Sequence, residues 1–215
     1  MDYIILENVN KEIKKKRILV DINLKLERGL IHVFVGRNAS GKTMLLRMIS
    51  GLILPTSGYV RVFDQEISRE KQFPRDMGLI IERVGLWNNL SGLENLSLLA
   101  EIRKTIGIGE IRESLARVGI DPGDKKKYKE YSMGMKQKLA LAQAIMEKPE
   151  LLILDEPTSG LDEDSIGLFR DIIREEKSRG TTCLIATHQI EDVRDIHDRM
   201  YYVKDGRCTI HKEVM

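Results

Sequence analysis

Hydrophobic and polar positions follow two different rhythms along this chain. In VDINLKLERG, Val20, Ile22, Leu24 and Leu26 alternate with Asp21, Asn23, Lys25 and Glu27. A period of two puts the apolar set on one face, which predicts a half-buried strand. YVRVFD at 59–64 alternates in the same way. LIHVFVG at 30–36, LLILDE at 151–156 and TCLIAT at 182–187 are instead nearly continuous apolar runs. Such runs predict central strands covered on both faces.

Helical segments lie between these strands. One is predicted from Lys42 through Ile49. A second begins at Ser91, where Ser-Gly-Leu-Glu makes a capping box of Ser91 and Glu94. A third runs from about Gly134 to Met146, and a fourth from about Glu163 to Ser178, stopped by Gly180. MYYVKDGRCTI, near the end, reads as a hairpin turning at Asp205-Gly206. Strand and helix alternate at both ends, whereas 91–146 is mostly helical. The pattern predicts an α/β fold: a parallel-sheet core, an inserted helical subdomain and a small antiparallel piece at the N-terminus.

Composition narrows the picture. The 215 residues suit one domain. A net charge of +2 gives no global field that would argue for nucleic acid, and no nucleic-acid partner is expected. Cys183 and Cys208 stand alone, without metal-site or disulfide spacing, and Cys183 reads as a small buried residue. MDYIILENVN lacks the basic start and long apolar centre of a signal peptide. MISGLILPTSGYV is too short to span a bilayer. A cytosolic protein is expected, reaching a membrane only through a partner. The basic runs KEIKKKR and GDKKKYKEY read as solvated loops, with anionic lipid headgroups as the alternative contact.

GRNASGKT, Gly36 to Thr43, fits G-x-x-x-x-G-K-[ST] between an apolar strand and a helix, the context that motif requires. Backbone N–H groups of Gly36, Arg37, Asn38, Ala39, Ser40 and Gly41, with the helix N-terminus, suit phosphate oxygens. Lys42 adds a positive charge and Thr43 a hydroxyl for Mg²⁺. Asp155 and Glu156 end an apolar strand, where ligands bind in open α/β sheets. Beside a Mg²⁺-nucleotide, Asp155 suits the metal and Glu156 an attacking water. His188 ends the neighbouring apolar strand and faces the same crevice. A lone strand-end histidine is more often structural, so its case rests on that crevice.

YSMGMKQKLALAQAI lies between the phosphate loop and LLILDEPTSGLD, and Thr187-His188 follow. This ordered set closely resembles the ATP-binding subunit of ATP-binding cassette (ABC) transporters, over nearly the whole chain. YSMGMKQ with DEPTSGLD looks most like the drug and antibiotic-peptide (bacitracin-type) exporter branch. The resemblance implies a P-loop NTPase core formed by 1–82 and 147–215, with 83–146 as the helical subdomain, in a single domain 1–215. It implies ATP and Mg²⁺ as ligands and Glu156 and His188 as catalytic residues. Thr43, Asp155 and Glu82 match the metal positions, although the family usually has Gln where Glu82 stands. Ile13 falls where the family has an aromatic residue stacking on adenine. Ser132, Gly134 and Asp162 match segments that act in trans, on ATP bound by the other subunit of a homodimer or heterodimer. Trp87 lies in the region that, in the family, lines the groove for the permease.

The resemblance thus implies an ATP-hydrolysing transporter subunit, held by a membrane-spanning permease on the inner face of the cell membrane. The alternative is a soluble ABC-type ATPase not coupled to transport. Such relatives carry tandem cassettes or a long coiled-coil insertion, and this chain has one phosphate loop and no heptad run. A non-hydrolysing regulatory module fits poorly with intact Lys42, Asp155, Glu156 and His188.

Overall fold

In this computed structural model, which describes residues 2–68, 73–82 and 85–210, the N-terminal strands β1 (Asp2–Ile13) and β2 (Lys16–Glu27) form a long hairpin. β3 (Ile31–Val35) leads through the phosphate loop into α1 (Lys42–Ile49). β4 (Ser57–Val62) and β5 (Gln65–Glu66) complete an antiparallel sheet of order β2-β1-β4-β5. β6 (Met77–Ile80) precedes three helices, α2 (Gly92–Arg103), α3 (Ile108–Arg117) and α4 (Met133–Ile145). β7 (Leu151–Asp155), α5 (Glu163–Ser178), β8 (Thr182–Thr187), β9 (Arg199–Lys204) and β10 (Arg207–Ile210) follow. The second sheet has the order β10-β9-β3-β8-β7-β6, with every pairing parallel except β10 on β9. The sequence plan of a parallel core with an antiparallel N-terminal piece therefore holds.

The parallel sheet separates two cores. Phe34, Ile153 and Leu184 face α1 and the antiparallel sheet, with Leu45, Leu46, Val60 and Val62 among their neighbours. Val33, Leu154 and Ile185 face the helices, with Leu96, Leu115, Leu139 and Phe169. Successive side chains of one strand thus enter different cores, which is why the central strands read as unbroken apolar runs. Each fully buried Leu or Ile contributes roughly 1.5–3 kcal/mol.

The alternation read at 20–26 is only partly kept. Ile22, Leu24 and Leu26 are buried, but Val20 is half-buried and Leu19 takes the core position before them. The pairing of β1 with β2 shifts register around Val9, and Asn8 (φ 52°) and Asp21 (φ 50°) adopt left-handed backbone there. The extra residue of a bulge moves the preceding side chains to the other face. Asn10 and Asn23 side chains accept from the displaced N–H groups of Asp21 and Asn8, each at 2.9 Å.

Helix boundaries follow their caps. Ser91 Oγ accepts from the Glu94 N–H at 3.3 Å, and Glu94 Oε2 accepts from the Ser91 N–H at 2.6 Å. These bonds hold the Glu94 carboxyl at about 2, below the ordinary range. Asp162 Oδ1 caps α5 through the Ser165 N–H at 2.9 Å. The β9–β10 turn has Asp205 at φ 49° and Gly206 at φ 74°, the left-handed pair that a two-residue hairpin needs. Buried Cys183 confirms its reading as a core residue.

Candidate active site

The phosphate loop is shaped by its neighbours. A β-carbon on Gly36 would sit 2.2 Å from the Val203 carbonyl oxygen of β9, so only glycine lets the loop leave the sheet here. The Ser40 carbonyl accepts from the Gly206 N–H at 2.9 Å, and the Gly206 carbonyl accepts from the Val20 N–H at 2.8 Å. A β-carbon on Gly206 would lie 2.4 Å from the Ile18 carbonyl oxygen. The C-terminal hairpin therefore wedges its turn between the loop and β2. Ala39 lies at φ 63°, where a β-carbon is strained.

Lys42, almost fully buried, donates from Nζ to the carbonyls of Gly36 at 2.7 Å and Arg37 at 3.3 Å. It also lies 3.5 Å from Glu156 Oε1. The Thr43 hydroxyl donates to Asp155 Oδ2 at 2.6 Å, joining the helix start to the end of β7. Asp155 Oδ1 is buried without a hydrogen-bond partner. Burial pushes the Asp155 carboxyl above the ordinary range; Glu156 and Glu82 reinforce that, while Thr43 and Lys42 oppose it. A hydroxyl and a carboxylate with one unused buried oxygen form a hard oxygen donor set, which fits Mg²⁺.

Glu156 stands just past β7 at φ 49°, a strained position for a side-chain-bearing residue. Its N–H donates to the Ala186 carbonyl at 2.8 Å, holding it beside β8. Its Oε2 lies 2.8 Å from His188 Nδ1. Gln137 on α4 fixes the same corner from the other side, donating from Nε2 to the Pro157 carbonyl at 2.9 Å. The sequence reading gave Gln137 no role. Its signal was present in YSMGMKQ, where it is the polar residue one turn into the helix.

Lys42, Thr43 and Glu156 open onto one cavity of about 700 Å³. The loop from Asn38 to Met44 forms one wall, and Glu156, Asp205, Gly206 and the β2 residues Lys16 to Ile18 complete it. Two predicted residues lie elsewhere. Ile13 pairs with Lys16 across the two-residue turn Lys14-Lys15 and is 39% exposed, outside the cavity wall. KEIKKKR is solvated as read, but as a hairpin tip whose second arm forms part of the wall. Glu82 is paired with Arg47 of α1 at 2.6 Å and lines a second cavity with Leu86, Tyr128 and Gln137. Held by Arg47, it still lies close enough to Asp155 to help raise that carboxyl, and no hydrogen bond joins it to Thr43 or Asp155. Trp87 lies in a loop beside that second cavity and is exposed.

The family model for the ABC transporter matches residues 19–159. The chain is 39% identical over 208 residues to the uncharacterized ABC transporter ATP-binding protein YybJ of Bacillus subtilis, covering 97% of this chain and 95% of that one. The chain belongs to the ABC transporter family. It is an ATP-binding subunit of that family, an ABC ATPase. Its relatives include the lantibiotic transport ATP-binding protein SrtF of Streptococcus pyogenes, 34% identical over 97% of this chain and 90% of that one. The bacitracin transport ATP-binding protein BcrA of Enterococcus faecalis is 36% identical over 96% of this chain and 68% of the relative. The fold matches the dimeric, post-hydrolysis cassette MJ0796 bound to ADP and Pi, with a TM-score of 0.83 at 23% identity over 97% of this chain and 98% of that one.

In this ABC ATPase, Ser132, Gly134 and Asp162 stand apart from the phosphate-loop cavity of their own chain. Ser132 caps α4, its exposed Oγ accepting from the Met135 N–H at 3.2 Å. Gly134 leaves room against Gly160, whose carbonyl oxygen would lie 3.3 Å from an added β-carbon. Asp162, also exposed, caps α5. No described helix is long and apolar enough to cross a membrane.

Proposed function

We propose that the cavity binds Mg²⁺-ATP and hydrolyses it, and that two such subunits close head to tail over two nucleotides to drive a membrane exporter. The single observation that carries this reading is the Lys42–Glu156–His188 chain beside Thr43–Asp155, with Lys42, Thr43 and Glu156 on the wall of one cavity. Phosphates lie against the loop N–H groups and Lys42. Thr43 and Asp155 would hold Mg²⁺, which would supply positive charge to offset that of the phosphates. Glu156 orients a water and accepts its proton as the water attacks the γ-phosphorus. His188 positions the Glu156 carboxylate. Glu82, its charge balanced by Arg47, would add an oxygen on the metal side.

Exposed Ser132, with Gly134 at the α4 N-terminus, offers donors to the γ-phosphate held by a partner subunit, and Asp162 borders the same interface. Closure and release would then move a permease seated by the cavity of Glu82 and Tyr128. In this reading residues 83–146 act as the moving helical part and the protein works on the inner membrane face. The similarity to BcrA and SrtF supports a cargo of the bacitracin or lantibiotic type. The test is the mass of a Glu156→Gln protein in solution. With Mg²⁺-ATP it should double from the 24.6 kDa chain; a monomer at saturating ATP would contradict dimer closure.

A further inference from the structure

The cavity has two chemically different ends. Lys42, Thr43 and Glu156 are tied together at one end through contacts of 3.5 Å or less, counting Asp155. Lys16, Arg17 and Ile18 form the other, which meets the loop at Gly41 and at the Asp205–Gly206 turn. If the cavity takes a nucleoside triphosphate, as proposed above, its phosphates occupy the first end. The base and ribose then lie over the start of β2.

That second end is unusual for a base subsite. No residue lining the cavity among the described residues is aromatic. Ile13 lies outside the wall. Ile18 is half-buried and supplies apolar surface. Arg17 is exposed and forms no ion pair among the described residues, so its guanidinium is available. A guanidinium is planar, stacks on aromatic faces and is weakly hydrated, which an ammonium is not. Its fork also matches the adjacent O6 and N7 acceptors of guanine, whereas adenine offers N7 beside a donor amine.

We propose that Arg17 is the base-recognising residue of this site, a cationic platform over Ile18 that accepts purine triphosphates and holds GTP at least as well as ATP. Lys16 beside it adds charge without a planar face.

The experiment compares binding of ATP, GTP and inorganic tripolyphosphate by calorimetry to wild type, Arg17→Ala and Arg17→Lys. Tripolyphosphate has the phosphates but no base. Arg17→Ala should weaken ATP and GTP by about tenfold, the range of one lost stacking contact, and change tripolyphosphate by less than twofold. Arg17→Lys keeps the charge and should recover less than half of the lost affinity on a logarithmic scale. Equal loss for all three ligands, full recovery by lysine, or no loss in Arg17→Ala would each overturn the assignment. Arg17 is exposed, so both variants should melt as wild type does. Wild-type protein that binds ATP but shows no base-specific loss in Arg17→Ala refutes this inference alone. Wild-type protein that binds neither nucleotide refutes the proposed function with it.

Discussion

Glu156 Oε2 lies 2.8 Å from His188 Nδ1, so one hydrogen bond joins the residues that follow β7 and β8, with Glu156 on the cavity wall. Glu156 holds this pairing from a left-handed backbone, φ 49°. Glu156→Gln keeps the shape and removes the basic oxygen. It should retain ATP binding while turnover falls by roughly 10²-fold or more, measured as phosphate release at saturating ATP. Unchanged turnover would remove Glu156 from the mechanism.

Arg47 and Glu82, 2.6 Å apart, bear on how this ABC ATPase tolerates a carboxylate near Asp155. Arg47→Ala should leave that charge unbalanced and lower turnover. Adding Glu82→Gln should restore most of the loss, as coupled neighbours do. Phosphate release from the two single variants and the double variant gives the answer. Additive losses would show that the pair is only a surface contact.

Ala39 at φ 63° carries strain that glycine would not. Ala39→Gly should stabilise the protein by up to about 1 kcal/mol, since the left-handed conformation costs an L-residue roughly 1–2 kcal/mol and glycine's unfolded-state freedom offsets part of the gain. Denaturant melts without nucleotide measure it. A lower midpoint would mean the loop is better ordered by alanine.

His32 is buried with Nε2 2.9 Å from the Glu27 carbonyl and Nδ1 3.3 Å from the Tyr201 hydroxyl. A neutral ring satisfies both, donating from Nε2 and accepting at Nδ1. Burial lowers its pKa below the usual 6.5. The unfolded chain therefore binds a proton that the folded one resists. Stability is fully present above pH 6.5 and declines as pH falls below it. Wild type should lose denaturation midpoint between pH 7.5 and 5.5, and His32→Gln should lose less over the same window. Parallel pH profiles would assign the loss to other groups.

Much of this arrangement is legible in the sequence because its signals are local. The phosphate loop needs only a strand before it and a helix after it, and α1 begins at Lys42 as read. The capping box at Ser91 and the turn at Asp205-Gly206 are equally local. What the sequence hides is non-local. Val20 fails its alternation because β2 bulges at Asp21, close to a second bulge at Asn8 on β1. Glu82 is held by Arg47, thirty-five residues away in sequence, and Ile13 misses the cavity because the Lys14-Lys15 turn swings the next arm into the wall. Gln137 joins the site only once α4 meets the end of β7.

We propose that Ser132 completes a site on another subunit. Lys42→Ala and Ser132→Arg, each in its own protein, should give inactive homodimers. In a mixed dimer both lesions fall in one site and the other is wholly wild type. Random equal mixing makes half the dimers mixed, so activity should recover to roughly a quarter of wild type if the two sites fire independently. ATP trapped per dimer is measured alongside, because coupled sites lower turnover without lowering occupancy. Recovery of trapped ATP on mixing is the predicted result. Mixed dimers that demonstrably form yet recover neither turnover nor trapped ATP would contradict it.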